Sequence, residues 1–524
     1  MQRLAPLLSI LTLASLTSTP AQAQWTTNHL SLARQGMAST SAGGKAFFAG
    51  GRISNAIQSR VDIYDESTGT WSNTNLTFQR TLSSATSLGN LAFFGGGGIN
   101  SSASTALVEV YDAQAGAWQS SGVLSQARFA LSAASVGTKV IFAGGATGTP
   151  ASPVIVDTVD IYDSSLGVQS NTAAWSVAHL SHERAMMGVA VCGNKVIFAG
   201  GFDLVSTRSE VDIYDLSTNS WSTSTLPLSQ AFYGASVGVG DQAYFFGGIT
   251  GPGASAVVTD VVQIYDATNG TWTVDSLPAG PRSLAAVAAV GNMILVGGGT
   301  DGSGATFDVV EVFDTSTGTW LPATHLSQAR LDLKAASVGT KALFAGGSPG
   351  APAVSDVVDI YDGLVPTPFC FGDGSSGACP CGNFGTTGRG CQNSGATGGS
   401  QLGSSGLPLI ANDTLVFSAS GELPSVFTIF LQGNAHIAPV AFGDGLRCTG
   451  GALKRLYSHN AVGGVATAPI GSDAPISVRA TQLGDTLGPG SVRYYQTYYR
   501  DPVLGFCPSG SSFNSSSALT VVWQ

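Results

Sequence analysis

The chain is patterned for strands. Apolar and polar residues alternate with a period of two in short runs such as 128–136, 139–143 and 158–162, which places successive side chains on opposite faces of a sheet. Together with a short run around Trp118, taken from the preceding stretch, these make one four-stranded unit. A Gly-Gly pair follows an apolar run seven times, at 50–51, 96–97, 144–145, 200–201, 247–248, 297–298 and 346–347. The pairs recur with a mean period of about 49, close to the spacing known for one class of repeat. A second signature follows each pair, of which Val61-Asp62-Ile63-Tyr64-Asp65 and Val159-Asp160-Ile161-Tyr162-Asp163 are typical. One copy carries Gln263 in place of the acid, and another Phe313 in place of the tyrosine. Six of the seven signatures are followed by a tryptophan: Trp71, Trp118, Trp175, Trp221, Trp272 and Trp320.

The double glycine, the Tyr-Asp pair and the spaced tryptophan resemble the kelch repeat, and the period matches its usual length of about 50. The resemblance covers 24–363 and implies an all-β, seven-bladed β-propeller with one four-stranded sheet per blade. The seventh signature lacks a following tryptophan, while Trp25 precedes the first repeat. The strand around Trp25 is therefore expected to complete the last blade and close the ring, which removes two sheet edges. After 364–369, read as a linker containing Pro366-Thr367-Pro368, the period stops. Alternating runs at 415–418, 426–431, 491–499 and 518–523 predict a β-sandwich-like domain over 370–524. That region resembles the tails of uncharacterised secreted bacterial proteins, which implies a surface or extracellular module and no activity.

Composition narrows the setting. Charged residues are 10% of 524 and glycines number 69, which excludes a polyelectrolyte or a charge-rich helical protein. Arg3, an apolar run over 7–16 and Ala21-Gln22-Ala23 form the n, h and c regions of a signal peptide, 1–23. The expectation is a secreted, extracellular or cell-surface protein with no membrane span, since the apolar run is far short of the roughly 20 residues needed. Cys370, Cys379, Cys381, Cys391, Cys448 and Cys507 lie in the last third, and Cys192 stands alone before them. Six clustered cysteines in an exported chain predict three disulfides, with Cys379 and Cys381 bonded to different partners and 15 connectivities open. Zinc is the weaker reading, because no C-x-x-C pair occurs. Residues 24–363 hold 14 basic and 25 acidic residues, but 13 of those acids belong to the seven signatures. The acidity is repeat grammar, and without a basic patch a nucleic-acid partner is not expected.

In a repeat, function is sought where one copy departs from the others. His29, His179 and His325 share one His-Leu-Ser slot, and Cys192 occupies the core slot of Val136. Some secreted kelch propellers resemble galactose oxidase, a copper-radical enzyme that needs a Cys–Tyr link, a second tyrosine and two convergent histidines; repeat-slot residues do not supply that set. No cofactor or metal is expected. Phe-Gly-Asp-Gly, at 371–374 and 442–445, is a tight turn or, less simply, part of a calcium loop. Arg34, Arg80, Arg128, Arg184, Arg282 and Arg330 each precede the innermost strand, with Phe232 and then Tyr233 in the odd copy. They either ring the channel mouth as a ligand site, for which guanidinium suits a carboxylate, or pair with acids of their own repeats. Asp332 and Lys334, found in one copy only, are either a local ion pair or a polar spot in the channel. The reading that follows is an exported, non-enzymatic module that presents propeller loops to an extracellular protein or glycan. The alternative is a secreted carbohydrate-active enzyme, an oxidase or a sugar isomerase.

Overall fold

The computed structural model describes residues 25–149, 152–228, 234–251, 257–315, 318–363, 366–406, 408–410, 413–488, 490–507 and 511–523. The segment 1–23 read as a signal peptide lies outside them, as do Phe232 and Tyr233. Described residues 25–363 form seven antiparallel blade sheets, each running from an inner to an outer strand, with four two-stranded hairpins in the loops after Gly-Gly pairs. In the first, the order is Ala38–Ala42, Lys45–Ala49, Arg60–Asp65 and Thr70–Asn75. Each inner strand touches its two neighbours, and the last, Lys334–Val338, touches Ala38–Ala42, so the inner strands form a closed circuit. The seventh sheet takes its outer strand, Trp25–His29, from ahead of the first repeat, paired Trp25↔Tyr361 through His29↔Val357.

Two details of the strand assignment change. Trp118 belongs to blade 2, opposite Tyr111, and the fourth strand of blade 3 is Trp175–His179. Periodicity finds a strand but does not say which sheet will pair with it. In blade 6 the Gly-Gly pair is Gly298-Gly299, with φ of 70° and 98°, because Gly297 still belongs to the strand Met293–Gly297.

The blades cohere through a repeated core. Phe48, Phe94, Phe142, Phe198 and Phe344 are fully buried between sheets, and each contributes roughly 1.5–3 kcal/mol by leaving water. Every blade sets a tryptophan against the aromatic of its own signature in a tilted or edge-on contact, with centroids 5.0 to 5.4 Å apart from Trp320–Phe313 to Trp175–Tyr162. Several indoles also donate to the outer strand of the preceding blade: Trp118 to Thr74 at 3.1 Å, Trp272 to Ser224 at 3.1 Å, and Trp25 to Thr324 at 2.9 Å.

The C-terminal region begins earlier than expected. Thr367–Phe369 is not linker but an edge strand, paired with the long strand Phe513–Val522. It joins a five-stranded sheet that faces a three-stranded one across Phe417, Phe430, Tyr495 and Trp523, with the short helix Ile476–Gln482 against the same core. The cysteines pair as Cys370–Cys448, Cys379–Cys391 and Cys381–Cys507, with Cα–Cα separations of 5.7 to 5.9 Å. Val492, Tyr494 and Val522 pack against Val290, Met293 and Tyr361 of blades 6 and 7, and the Tyr494 hydroxyl donates to Asp314 at 3.1 Å. Asp314 ends its strand at the edge remote from the Gly-Gly loops. The tail therefore docks on one face of the ring and leaves the loop face to the propeller.

Candidate functional site

The six arginines do not line the channel. Arg34, Arg80, Arg128, Arg184, Arg282 and Arg330 are at most 1% exposed, and each pairs with the acid of its own signature. Arg34 meets Asp62 at 2.7 Å and Arg282 meets Glu311 at 3.2 Å; Arg80–Glu109, Arg128–Asp160, Arg184–Asp212 and Arg330–Asp359 repeat the contact. The physical reason is the local backbone. The guanidinium also donates to the carbonyl of the first glycine of its blade, at 2.9 Å for Arg128–Gly144, Arg184–Gly200 and Arg330–Gly346. The arginine's own carbonyl accepts from the second glycine of the preceding blade, as in Gly51 to Arg80 at 2.9 Å and, across the closure, Gly347 to Arg34 at 3.0 Å. Burial pulls the arginine pKa values down and the paired carboxylates oppose it. Glycine is needed at that joint: φ is +66° at Gly50, and a Cβ there would lie 2.4 Å from the Arg80 carbonyl.

The second oxygen of each acid caps the connection ahead of its own blade's inner strand, as in Ser31 N–H to Asp62 at 3.0 Å and Ser125 N–H to Asp160 at 2.8 Å. Counted back from the inner strand Ala235–Val239, the arginine slot of blade 5 holds Ala231, one residue before the expected Phe232, and there the acid is Gln263. Its amide accepts from the Leu228 N–H at 2.9 Å and donates to the Leu228 carbonyl at 3.0 Å. A carboxylate buried there would have no cation of its repeat, so charge leaves from both positions at once. The aligned repeats carry this signal, in the joint departure of residues 231 and 263, and the motif reading missed it.

What does face the channel is the residue two places after each arginine. Gly36, Leu82, Ala130, Met186, Leu284 and Asp332 all adopt the left-handed conformation, with φ between 52° and 64°. The Met186 N–H donates to Ala130, Ala130 to Leu82, Gly36 to Asp332 and Asp332 to Leu284, at 2.8 to 3.3 Å, a chain of blade-to-blade bonds around the mouth. These residues, with Met37, Arg52 and Lys334, line a cavity of about 550 Å³, a size suited to a small ligand or a peptide end. Asp332 and Lys334 are not an ion pair within 4 Å; both border the cavity, half-buried. Burial raises the Asp332 pKa, and the charges of Lys334 and Arg52 oppose the rise. Arg52 was not foreseen, although it departs from its copies as plainly as Lys334 does: Gly98, Ala146, Phe202, Ile249, Thr300 and Ser348 hold its place.

The remaining candidates have structural surroundings. His29, His179 and His325 are exposed and face Asp356, Asp157 and Asp308 at 3.0 to 3.3 Å, each in its own blade. Cys192 is sealed in the core of blade 4, and burial pushes its thiol up to about 12. Asp373 accepts from the Ser375 N–H at 2.9 Å in an Asx turn, and Gly443 turns a hairpin between Ala435–Phe442 and Gly445–Gly450. No helix among the described residues is long and apolar enough to cross a membrane. A second concavity, of about 680 Å³, lies in the tail beside His459 and Asp473, which are 2.7 Å apart.

Comparison with known proteins agrees with the repeat. Residues 130–347 match the family model described as the KLHDC2/KLHL20/DRC7 Kelch-repeats domain. The bovine (Bos taurus) "Rab9 effector protein with kelch motifs" is 27% identical over 152 residues, which is 27% of this chain and 40% of that protein. The chain therefore spans well under two thirds of that relative. Among solved structures, "Structure of YjhT" aligns with a TM-score of 0.42 and 15% identity, covering 55% of this chain and 95% of the other. Repeat, register and family match coincide, and the ring of this chain is a kelch-repeat β-propeller.

Proposed function

We propose that the chain is exported through the segment 1–23 and serves as a binding protein. In this reading the loop face of the propeller takes an extracellular protein or glycan, and the disulfide-tied tail forms a base on the other side. The observation that carries it is the cavity of about 550 Å³ at the centre of the face opposite the docked tail. The repeat's regular charges are matched inside the blades, so the mouth is left to residues that differ from copy to copy. Kelch domains are protein-interaction propellers, which favours the same reading. The loops after the Gly-Gly pairs, rich in Gly, Ser and Ala, suit adaptable contacts.

The test screens the full chain against extracellular proteins and a glycan array, with the mouth open or blocked. Gln35 lines the cavity, so Gln35→Cys labelled with a bulky maleimide blocks it, while buried Cys192 stays unlabelled. Ligands retained by the unlabelled variant are expected to be lost on labelling. Equal retention after labelling would remove the mouth from the binding face. Stoichiometric copper with an organic-radical signal in the purified chain would overturn the binding-protein reading altogether.

A further inference from the structure

Most lysines and arginines of this propeller meet an acid. Six arginines meet acids of their repeats, and Lys45, Lys139 and Lys341 meet Asp65, Asp163 and Asp362. Three charged residues at the mouth break the rule. The side chains of Asp332, Lys334 and Arg52 border one cavity, and none makes a hydrogen bond or ion pair with another described residue. Each is also the one charged residue among its equivalents. The copies of Asp332 are Gly, Leu, Ala, Met, Tyr and Leu, and those of Lys334 are Ala, Ser, Ser, Gly, Ala and Ala. Burying Asp332 without a contacting partner is unfavourable, offset only in part by the charges of Lys334 and the exposed Arg52, and sites that bind charged ligands carry such a cost before the ligand arrives.

We propose that the mouth recognises a ligand end bearing an ammonium group beside a carboxylate, the ammonium on Asp332 and the carboxylate on Lys334 and Arg52. This rests on the loop face being the ligand face. The geometry selects among charge types. A dianion would face the Asp332 carboxylate, and a plain cation would face Lys334 and Arg52. Two cations against one anion favour a ligand with one net negative charge, such as an acidic amino acid. The rest of the wall mixes apolar residues such as Met37, Leu82 and Leu284 with Gln35, Thr81 and Ser132, so the three charges fix orientation while the wall offers apolar contact and hydrogen bonds. The same chemistry is offered by free glutamate and by an acidic residue at the amino terminus of a peptide.

Calorimetry on the full chain at low salt distinguishes these sources. The probes are L-glutamate, the peptide amide Glu-Ala-Ala and its amino-acetylated form. The variants are taken from other blades, so their backbones already occur at these positions: Asp332→Leu as at 82 and 284, and Lys334→Ser as at 84 and 132. Unchanged melting confirms their folding. Wild type is expected to bind glutamate, the free peptide or both, and acetylation is expected to weaken the peptide at least tenfold. Asp332→Leu is expected to abolish the difference between free and acetylated peptide, and Lys334→Ser to weaken every probe. Binding of glutamate alone assigns a free amino acid, and binding of the free peptide assigns a chain terminus. Equal affinity for the free and acetylated peptide in wild type overturns the proposal, as does silence from all three probes. A protein or glycan from the wider screen that is excluded by the maleimide block, yet binds the doubly substituted chain as tightly as wild type, keeps the ligand face and removes only the zwitterion.

Discussion

A buried guanidinium and a buried carboxylate stabilise the fold only as a pair, because each alone faces a desolvation cost of several kcal/mol. Blade 5 avoids the cost by carrying neither, with Gln263 fully buried. Gln263→Glu is therefore expected to lower stability by about 3–5 kcal/mol at neutral pH, read as a shift of the urea midpoint. Part of the loss should return on acidification, since the introduced acid can then protonate. Asp160→Asn, which leaves Arg128 buried without an anion, should cost a similar amount. Glu422 in the tail is the natural counterpart. It is 2% exposed, takes a hydrogen bond from Thr428 and has no cation paired with it among the described residues, and burial raises its pKa from 4.5 to about 8. Its folded form holds the proton that the unfolded chain releases, so tail stability should fall as pH rises from about 4.5 to about 8, by roughly 4–5 kcal/mol in total. Glu422→Gln should flatten that slope, measured as denaturation midpoints across the range; a slope as steep as wild type would assign it to other groups.

At the scale of the strand, the unit of construction is a tryptophan that packs on its own blade and reaches back to the one before. Trp25 does this from the opposite end of the ring's sequence, on Tyr361 and to Thr324. Trp25→Ala and Trp118→Ala are expected to lower stability by comparable amounts, about 2–4 kcal/mol given that both indoles are half-buried. Thermal melts of the two variants check this, and a Trp25 variant that melts like wild type would place the strand's contribution elsewhere. Much of this element grammar is legible in the chain, because period-two alternation, Gly-Gly and a spaced tryptophan each have a direct backbone cause. The limits are equally physical. Three glycines in a row at 297–299 leave the joint ambiguous by one position, and a run of alternating residues around Trp118 does not name its partner sheet. The sequence leaves the arginines between a ring at the mouth and pairs with acids of their own repeats, because it shows their repetition and not their direction. The acid that draws each one inward sits on the third strand of its sheet, beyond the reach of any local pattern, as Asp62 does for Arg34 and Asp160 for Arg128.

In the whole molecule the two parts are held by different means. The ring carries no cysteine but buried Cys192, while the tail is crossed by three disulfides. Reduction is expected to destabilise the tail by about 2–5 kcal/mol for each bond lost and to leave the ring largely folded. Cys192 reports on the ring directly, because its thiol reacts only when blade 4 opens. Under reductant, tail fluorescence should change at lower urea than Cys192 labelling does, and a single shared transition would show that the docked faces unfold as one unit. The pairing of Trp25–His29 with Val357–Asp362 also sets a schedule for the ring. The outermost strand of the last blade is the first of the ring's strands to leave the ribosome, and its partner follows only after the other six blades have been made. At ordinary synthesis rates that is a wait of roughly 20–70 s, during which one bare sheet edge travels with an indole and no seat for it. A chain interrupted anywhere before Tyr361 keeps that edge, so in this architecture incomplete synthesis is marked by an unpaired strand ahead of the first blade.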